Sequence, residues 1–207
     1  LAKAEGLKHD TKDLSDDALM AQLGMPGIAP EGRFFPDTYT YGKGASELRV
    51  MQRALNAMDK QLAAAWAQRD TSIILKTPDE ALILASIVEK ETGRESDRTT
   101  ISRVFHNRLA VGMPLQTDPT VIYGMGAAFN GNLRRVDLQT DTPWNTYTRR
   151  GMPPTPIAMP SKAALLAAVQ PASSPALYFV ARGDGSSQFS KTLEEHNRAV
   201  NTYQRRQ

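Results

Sequence analysis

The segment that most restricts how this chain can fold runs from Thr77 to Gly93. Thr77-Pro78-Asp79-Glu80 reads as a helix start, with Thr as N-cap, Pro at the first helical position and Glu three residues after the cap to complete a capping box. Beyond it, Ala81, Leu82, Ile83, Leu84, Ala85, Ile87 and Val88 leave almost no polar face. A helix of that kind must be surrounded by protein on most sides, and Gly93 is its expected end. The same run, Ala81 to Val88 with one Ser inside it, is far short of the ~20 apolar residues a membrane span needs.

Other helices are needed to wrap it. Leu48, Met51, Leu55, Met58, Leu62 and Ala65 alternate steps of three and four after Ser46, the stripe of a helix about 20 residues long. Ile101, Val104, Phe105 and Leu109 mark a second, closed by Gly112 and Pro114. Shorter helices are expected from Ser15 to Gly24, from Ser161 to Pro171, and from Thr192, where Glu195 completes another capping box and Leu193, Val200 and Tyr203 form the inner face. Leu177 to Val180 reads as a buried strand that turns at Gly183-Asp184-Gly185 and returns through Gln188, Phe189 and Ser190. The stretch from 27 to 44 is a loop with at most a short strand. Residues 113 to 160 hold seven of the thirteen prolines, and the aromatic and aliphatic residues among them point to packed, functional loops.

Composition excludes several classes. With 207 residues, 41% apolar and 23% charged, the chain is an ordinary globular one rather than a disordered, collagenous or coiled-coil protein. A net charge of +3 is too small to imply nucleic acid. The absence of Cys removes disulfides, thiolate zinc sites and Cys nucleophiles but leaves the compartment open. His9, His106 and His196 have no ligand spacing, so no metal site is expected. Gly124-Met125-Gly126 lacks the third glycine of a dinucleotide site, and Arg182-Gly183-Asp184 is a turn. The chain opens at Leu1 without a signal-like segment, and the expectation is a soluble part of a longer protein.

Three places gather reactive groups. Glu91 follows Leu84 by seven residues, Ile87 by four and Val88 by three, so it extends the apolar stripe, whereas Glu89 lies about 200° away on the helix. A carboxyl at the edge of apolar packing has its charged form disfavoured, which moves its pKa toward that of a general acid. The plain alternative is a surface Glu in a last helical turn. Leu115-Gln116-Thr117-Asp118-Pro119-Thr120 offers an amide, hydroxyls and a carboxylate, with Asp118 readable equally as a helix N-cap. Trp144-Asn145-Thr146-Tyr147 combines flat aromatic surface with hydrogen-bonding groups, a mixture suited to sugar rings and equally to a loop pinned to the core.

Longer segments carry a resemblance. Glu31 to Tyr39, Leu84 to Thr92, Leu115 to Gly124, Asn145 to Tyr147 and Leu177 to Val180 together resemble the MltG (YceG-like) endolytic murein transglycosylases over roughly residues 31 to 203. One departure is Met159, where the family usually has Asn in its Pro-Pro-x-x-Ile-x-Asn-Pro run. The resemblance implies an α+β, mainly helical fold, a lysozyme-like core with a small β portion near 177 to 190, formed by residues 31–207 and preceded by an N-terminal helical segment, 1–30. It implies a lyase that cuts peptidoglycan glycan strands between N-acetylmuramic acid and N-acetylglucosamine and leaves 1,6-anhydro muramyl ends. Glu91 maps onto the family's catalytic acid, and Gln116, Asp118, Tyr123, Asn145 and Tyr147 are the residues expected to hold the muramyl ring. No cofactor, metal or nucleic acid is implied. Implied partners are glycan strands and peptidoglycan synthases, at the periplasmic face of an inner membrane reached through an anchor and a LysM-like domain outside this chain. Two alternatives remain at this point: a peptidoglycan-binding module without turnover, and a hydrolytic muramidase with Asp118 as second carboxylate.

Overall fold

The structure, a computed structural model, describes residues 4–204; the outer ends of both expected ranges, 1–3 and 205–207, lie outside the described residues. At its centre stands α3, Pro78–Glu91, in which Ala81, Leu82, Leu84, Ala85, Ile87 and Val88 are all fully buried. Burial of each large aliphatic side chain there is worth about 1.5–3 kcal/mol. The wrapping is done by α2 (Glu47–Ala67), α4 (Glu95–Ala110) and α7 (Lys162–Val169), with α7 packed most extensively on α3. Small residues permit the close approach: Ala164, Ala167 and Ala168 of α7 are buried against the same cluster as Ala81 and Ala85.

The Thr77 hydroxyl caps α3 by accepting from the Glu80 N–H, as expected. The other half of the box does not form, because the Glu80 carboxylate takes the Lys76 N–H at 2.5 Å instead. The helix also stops two residues before Gly93: Thr92 is already extended, at φ −148°. In α2 the stripe is buried at Leu55, Met58, Leu62 and Ala65, and α1 (Asp16–Gln22, capped by Ser15) lays Met20 against Leu55. The 27–44 stretch contains no strand; the isolated bridge nearby joins Lys8 to Ser46. It is pinned by Arg33 to Asp79 at 2.8 Å and by the Phe35 N–H to the Ala54 carbonyl. Gly32 is required here twice over, since its φ is +79° and an added Cβ would lie 2.5 Å from Pro156.

Between α4 and α7 the proline-rich region forms α5 (Asp118–Met125), a single 3₁₀ turn, and α6 (Arg135–Gln139) among loops. Asp118 is not the N-cap of α5: that position belongs to Thr117, and the Asp118 carboxylate is engaged elsewhere. Polar side chains of α4 then staple the segment after α7. Arg103 donates to the Ala172 carbonyl, and Asn107 to the carbonyls of Ser174 and Ala176. That segment leads into β1 (Tyr178–Ala181), paired antiparallel with β2 (Ser187–Ser190). The strand is only half-buried, with Val180 alone in the core, because two strands leave one face open. The last helix, α8 (Leu193–Tyr203), has the expected Thr192–Glu195 capping box. Its buried residue is Ala199, while Leu193 is 55% exposed, since α8 packs on the small hairpin rather than on the helical body. The class is α+β and mainly helical, as expected.

Candidate active site

Because α3 ends at Glu91, the last residue of the buried helix emerges at the wall of a cleft. A cavity of ≈ 590 Å³ is lined on one side by Glu91, Arg108, Gln116, Asp118 and Tyr147, and on the other by the β-hairpin and α8. A second cavity of ≈ 610 Å³, bounded by Thr92, Gly93, Arg94 and the hairpin turn, also has Glu91 in its wall. Glu91, with Ala181 and Ser187, is therefore in the wall shared by the two cavities.

Desolvation raises the Glu91 carboxyl from 4.5 to about 7. The charge on Asp118 pushes in the same direction, while the hydroxyl of Thr117, 3.2 Å from Oε2, and the charge on Arg108 oppose it. Near neutral pH the group is thus divided between acid and carboxylate. Glu89, two residues earlier, faces the other way as the helical geometry requires, and its carboxylate accepts both the N–H and the hydroxyl of Ser161, at 2.9 and 2.6 Å. It ties α3 to the start of α7.

The loop carrying Thr117 is held by buried hydroxyls. Thr146 Oγ1 accepts from the Thr117 N–H at 3.1 Å and lies 2.8 Å from Thr120 Oγ1, which in turn donates to the Thr117 carbonyl. Gln116 has φ +49°, a left-handed conformation uncommon outside glycine and stabilised here by the bond from its N–H to the Thr146 carbonyl. Tyr147 closes the wall by donating its hydroxyl to Asp118 at 2.6 Å. Burial and the Asp118 carboxylate both push the Tyr147 phenol above its usual range.

The cleft gathers four of the six residues singled out in the sequence: Glu91, Gln116, Asp118 and Tyr147. Asn145 and Tyr123 are not among its lining. Asn145 is fully buried, its amide N–H groups donating toward the carbonyls of Asp137, Leu138 and Thr140 and its oxygen accepting from the N–H groups of Tyr147 and Thr148. It organises the loop that presents Tyr147 and has no free edge for a ligand. Tyr123 packs edge-on to Trp144, ring centroids 5.5 Å apart, and Trp144 donates to the Thr155 hydroxyl. This is the pinned-loop arrangement, and Gly124 beside it is tight, since a Cβ would meet Thr142 Oγ1 at 2.6 Å. Sequence reasoning missed Arg108, Tyr178 and His196, which line the same cleft. The Arg108 guanidinium lies 5.4 Å over the Tyr178 ring, and Tyr178 stacks on His196 at 5.3 Å.

Fold and cleft define a class: a mainly helical α+β domain with one desolvated carboxylic acid in the shared wall of two open cavities. A model of the YceG-like family matches residues 1–202, so the chain belongs to that family, and the match takes in the first thirty residues as well. A Bacillus subtilis protein named endolytic murein transglycosylase is 36% identical over 177 residues, covering 84% of this chain and 48% of that protein. One of the same name from Streptococcus pneumoniae is 34% identical over 175 residues, covering 82% and 31%. The crystal structure of a YceG-like protein from Listeria monocytogenes matches with a TM-score of 0.70 and 38% identity, over 81% of this chain and 54% of that one. The chain spans about half, or less, of the length of the curated relatives it matches. No helix among the described residues is long and apolar enough to cross a membrane.

Proposed function

We propose that this chain is the catalytic part of an endolytic lytic transglycosylase, a lyase acting on the β-1,4 bond between N-acetylmuramic acid and N-acetylglucosamine of peptidoglycan. The observation that carries the proposal is Glu91, a carboxyl raised to about 7 at the junction of two cavities. Two adjoining cavities that share the acid give room for more than one sugar, which suits a cut within a strand, and the names of the relatives support murein as the strand.

One carboxyl suffices for this chemistry. Most glycosidases need two, one as acid and one as nucleophile or base. Here the Glu91 acid protonates the bridging oxygen as the C1–O bond breaks. The carboxylate then removes the proton of the muramyl C6 hydroxyl as that oxygen bonds to C1 and closes the 1,6-anhydro bridge. Intramolecular attack has an effective molarity of about 10⁵ M or more, far above that of water, provided the ring is held in a reactive conformer. Gln116, Asp118 and Tyr147, on the cleft wall with Glu91, are the residues we assign to that task; Tyr123 and Asn145 act only through the loops they brace. Work on murein is extracytoplasmic, and we extend the proposal to the periplasmic face of an inner membrane as the location and to a peptidoglycan synthase as a partner.

Mass spectrometry of digested sacculi tests the proposal. Muramyl ends one water lighter than a muramidase gives, resistant to borohydride and arising within strands, are the expected product. Asp118, in the same cleft, favours a second reading as the partner carboxylate of a hydrolase. Predominantly reducing ends, abolished in Asp118→Asn, would establish that reading and sink the first. Binding to sacculi without release of any fragment would make the chain a binding module.

A further inference from the structure

A cation buried in a protein is normally paired with an anion, because desolvating it costs several kcal/mol. Arg108 breaks that rule. It is 7% exposed, on the apolar stripe of α4 four residues after Val104 and seven after Ile101. Its Nε donates to the Leu177 carbonyl at 2.7 Å, its Nη1 to the Leu115 carbonyl at 2.6 Å, and its plane covers Tyr178. Among the described residues no carboxylate forms an ion pair with it. The two carbonyls fix the guanidinium without neutralising it.

The titratable groups that share its cleft come from five elements: Glu91 from α3, Asp118 from α5, Tyr147 from the loop after α6, Tyr178 from β1 and His196 from α8. The Asp118 carboxylate is already engaged by the Tyr147 hydroxyl. Burial and Arg108 itself push the His196 pKa down, so His196 adds no competing cation near neutral pH. That leaves Glu91 as the anion for which Arg108 is available.

We propose that Arg108 is the counter-charge of the Glu91 carboxylate, a positioning residue fixed by the carbonyls of Leu115 and Leu177. The inference rests on the transglycosylase reading and deepens it. In the acid form that begins the reaction, Glu91 is neutral and Arg108 is unpaired. When that proton passes to the bridging oxygen and the leaving sugar departs as an alcohol, Glu91 becomes an anion facing a preorganised cation. As the C6 oxygen bonds to C1, its proton returns to Glu91 and the charge disappears again. An interaction stronger at the intermediate stage than in the resting state is the kind that accelerates a reaction.

The direct test is a ¹³C-carboxyl NMR titration of Glu91, which needs no turnover, in the wild type, Arg108→Lys and Arg108→Met. Loss of the cation in Arg108→Met is expected to raise the Glu91 midpoint by about one unit, tenfold in proton affinity. Arg108→Lys keeps the charge and should restore the midpoint to near the wild-type value. In the cleavage assay the alkaline limb should move up with the midpoint, and kcat should fall more than KM changes. Where Arg108→Met does not fold, Arg108→Gln replaces it, retaining an amide donor for one carbonyl. Equal midpoints in the wild type and the neutral variant would overturn the inference. A shifted midpoint in an enzyme that makes no anhydro ends would leave the pairing standing and remove the transglycosylase reading instead.

Discussion

Replacing Glu91 by Gln should make the protein more stable in a pH-dependent way, and the size of the effect follows from the raised carboxyl. The folded-state pKa of about 7 exceeds the reference value of 4.5, so the folded protein binds this proton more tightly than the unfolded chain does. The stability linked to it is complete below about pH 4.5 and is lost as pH rises through about 7. Two and a half units at about 1.4 kcal/mol each come to about 3.5 kcal/mol, of which about 3 kcal/mol is lost between pH 4.5 and 8, a large part of the usual 5–15 kcal/mol of a folded domain. Gln keeps the volume, can still bond the Thr117 hydroxyl and does not titrate. Wild type and Glu91→Gln should therefore unfold at similar temperatures near pH 4.5, with the variant melting roughly 6–12 °C higher at pH 8. Scanning calorimetry of both proteins from pH 4.5 to 8 measures it, and titrating groups remote from Glu91 cancel in the difference. A difference that stays flat across that range would refute the reasoning, because it would mean that Glu91 titrates as an ordinary surface carboxyl. The same variant should have lost nearly all glycan cleavage, having no proton to transfer.

Glu89→Ala removes the acceptor for two bonds from Ser161 and should cost about 1–3 kcal/mol in thermal or urea unfolding, with the specific activity of the folded protein retained; loss of activity without loss of stability would reverse the two glutamates. Asn145→Ala strands buried carbonyls and N–H groups and should cost about 3 kcal/mol or more, whereas a raised KM with an unchanged melting temperature would return Asn145 to the substrate. In the wild type kcat/KM should fall as pH rises through about 7, where the acid form of Glu91 is depleted; a limb more than one unit away would exclude Glu91 as the group it reports.

What could be read from the sequence was whatever a helix repeats. The all-round apolar run of α3, the stripe of α2 and the caps at Ser15, Thr77, Ser161 and Thr192 depend on spacing within a few residues, and each appears where spacing put it. The opposite facing of Glu89 and Glu91 follows from the same 100° step, and both partners confirm it: Ser161 for one and Thr117 for the other. The loops were less legible because their partners are remote in sequence. A polar residue between prolines can serve a ligand or the backbone, and nothing local distinguishes the two. Asn145 serves backbone carbonyls, since a loop without a ladder of its own must find donors for its buried carbonyls in side chains. Asp118 sits one residue inside its helix because Thr117 takes the cap position, which turns the carboxylate toward Tyr147, 29 residues away.

Arg108 was missed although its spacing carried the signal. Ile101, Val104, Phe105 and Arg108 fall at i, i+3, i+4 and i+7, so the arginine continues an apolar stripe just as Glu91 continues that of α3. Two ionisable residues, each continuing the inner stripe of its own helix, were drawn out of water as those helices packed together, Arg108 buried and Glu91 half-buried at the cleft. The end of α3 adds a further bias. Its last carbonyls carry the negative end of the helix dipole, which disfavours a second negative charge on Glu91 and favours the proton. A helix buried along most of its length, ending at a cleft beside a cation held by two carbonyls, thus supplies both states of one acid: burial and the dipole keep the proton on, and Arg108 receives the charge when the proton leaves.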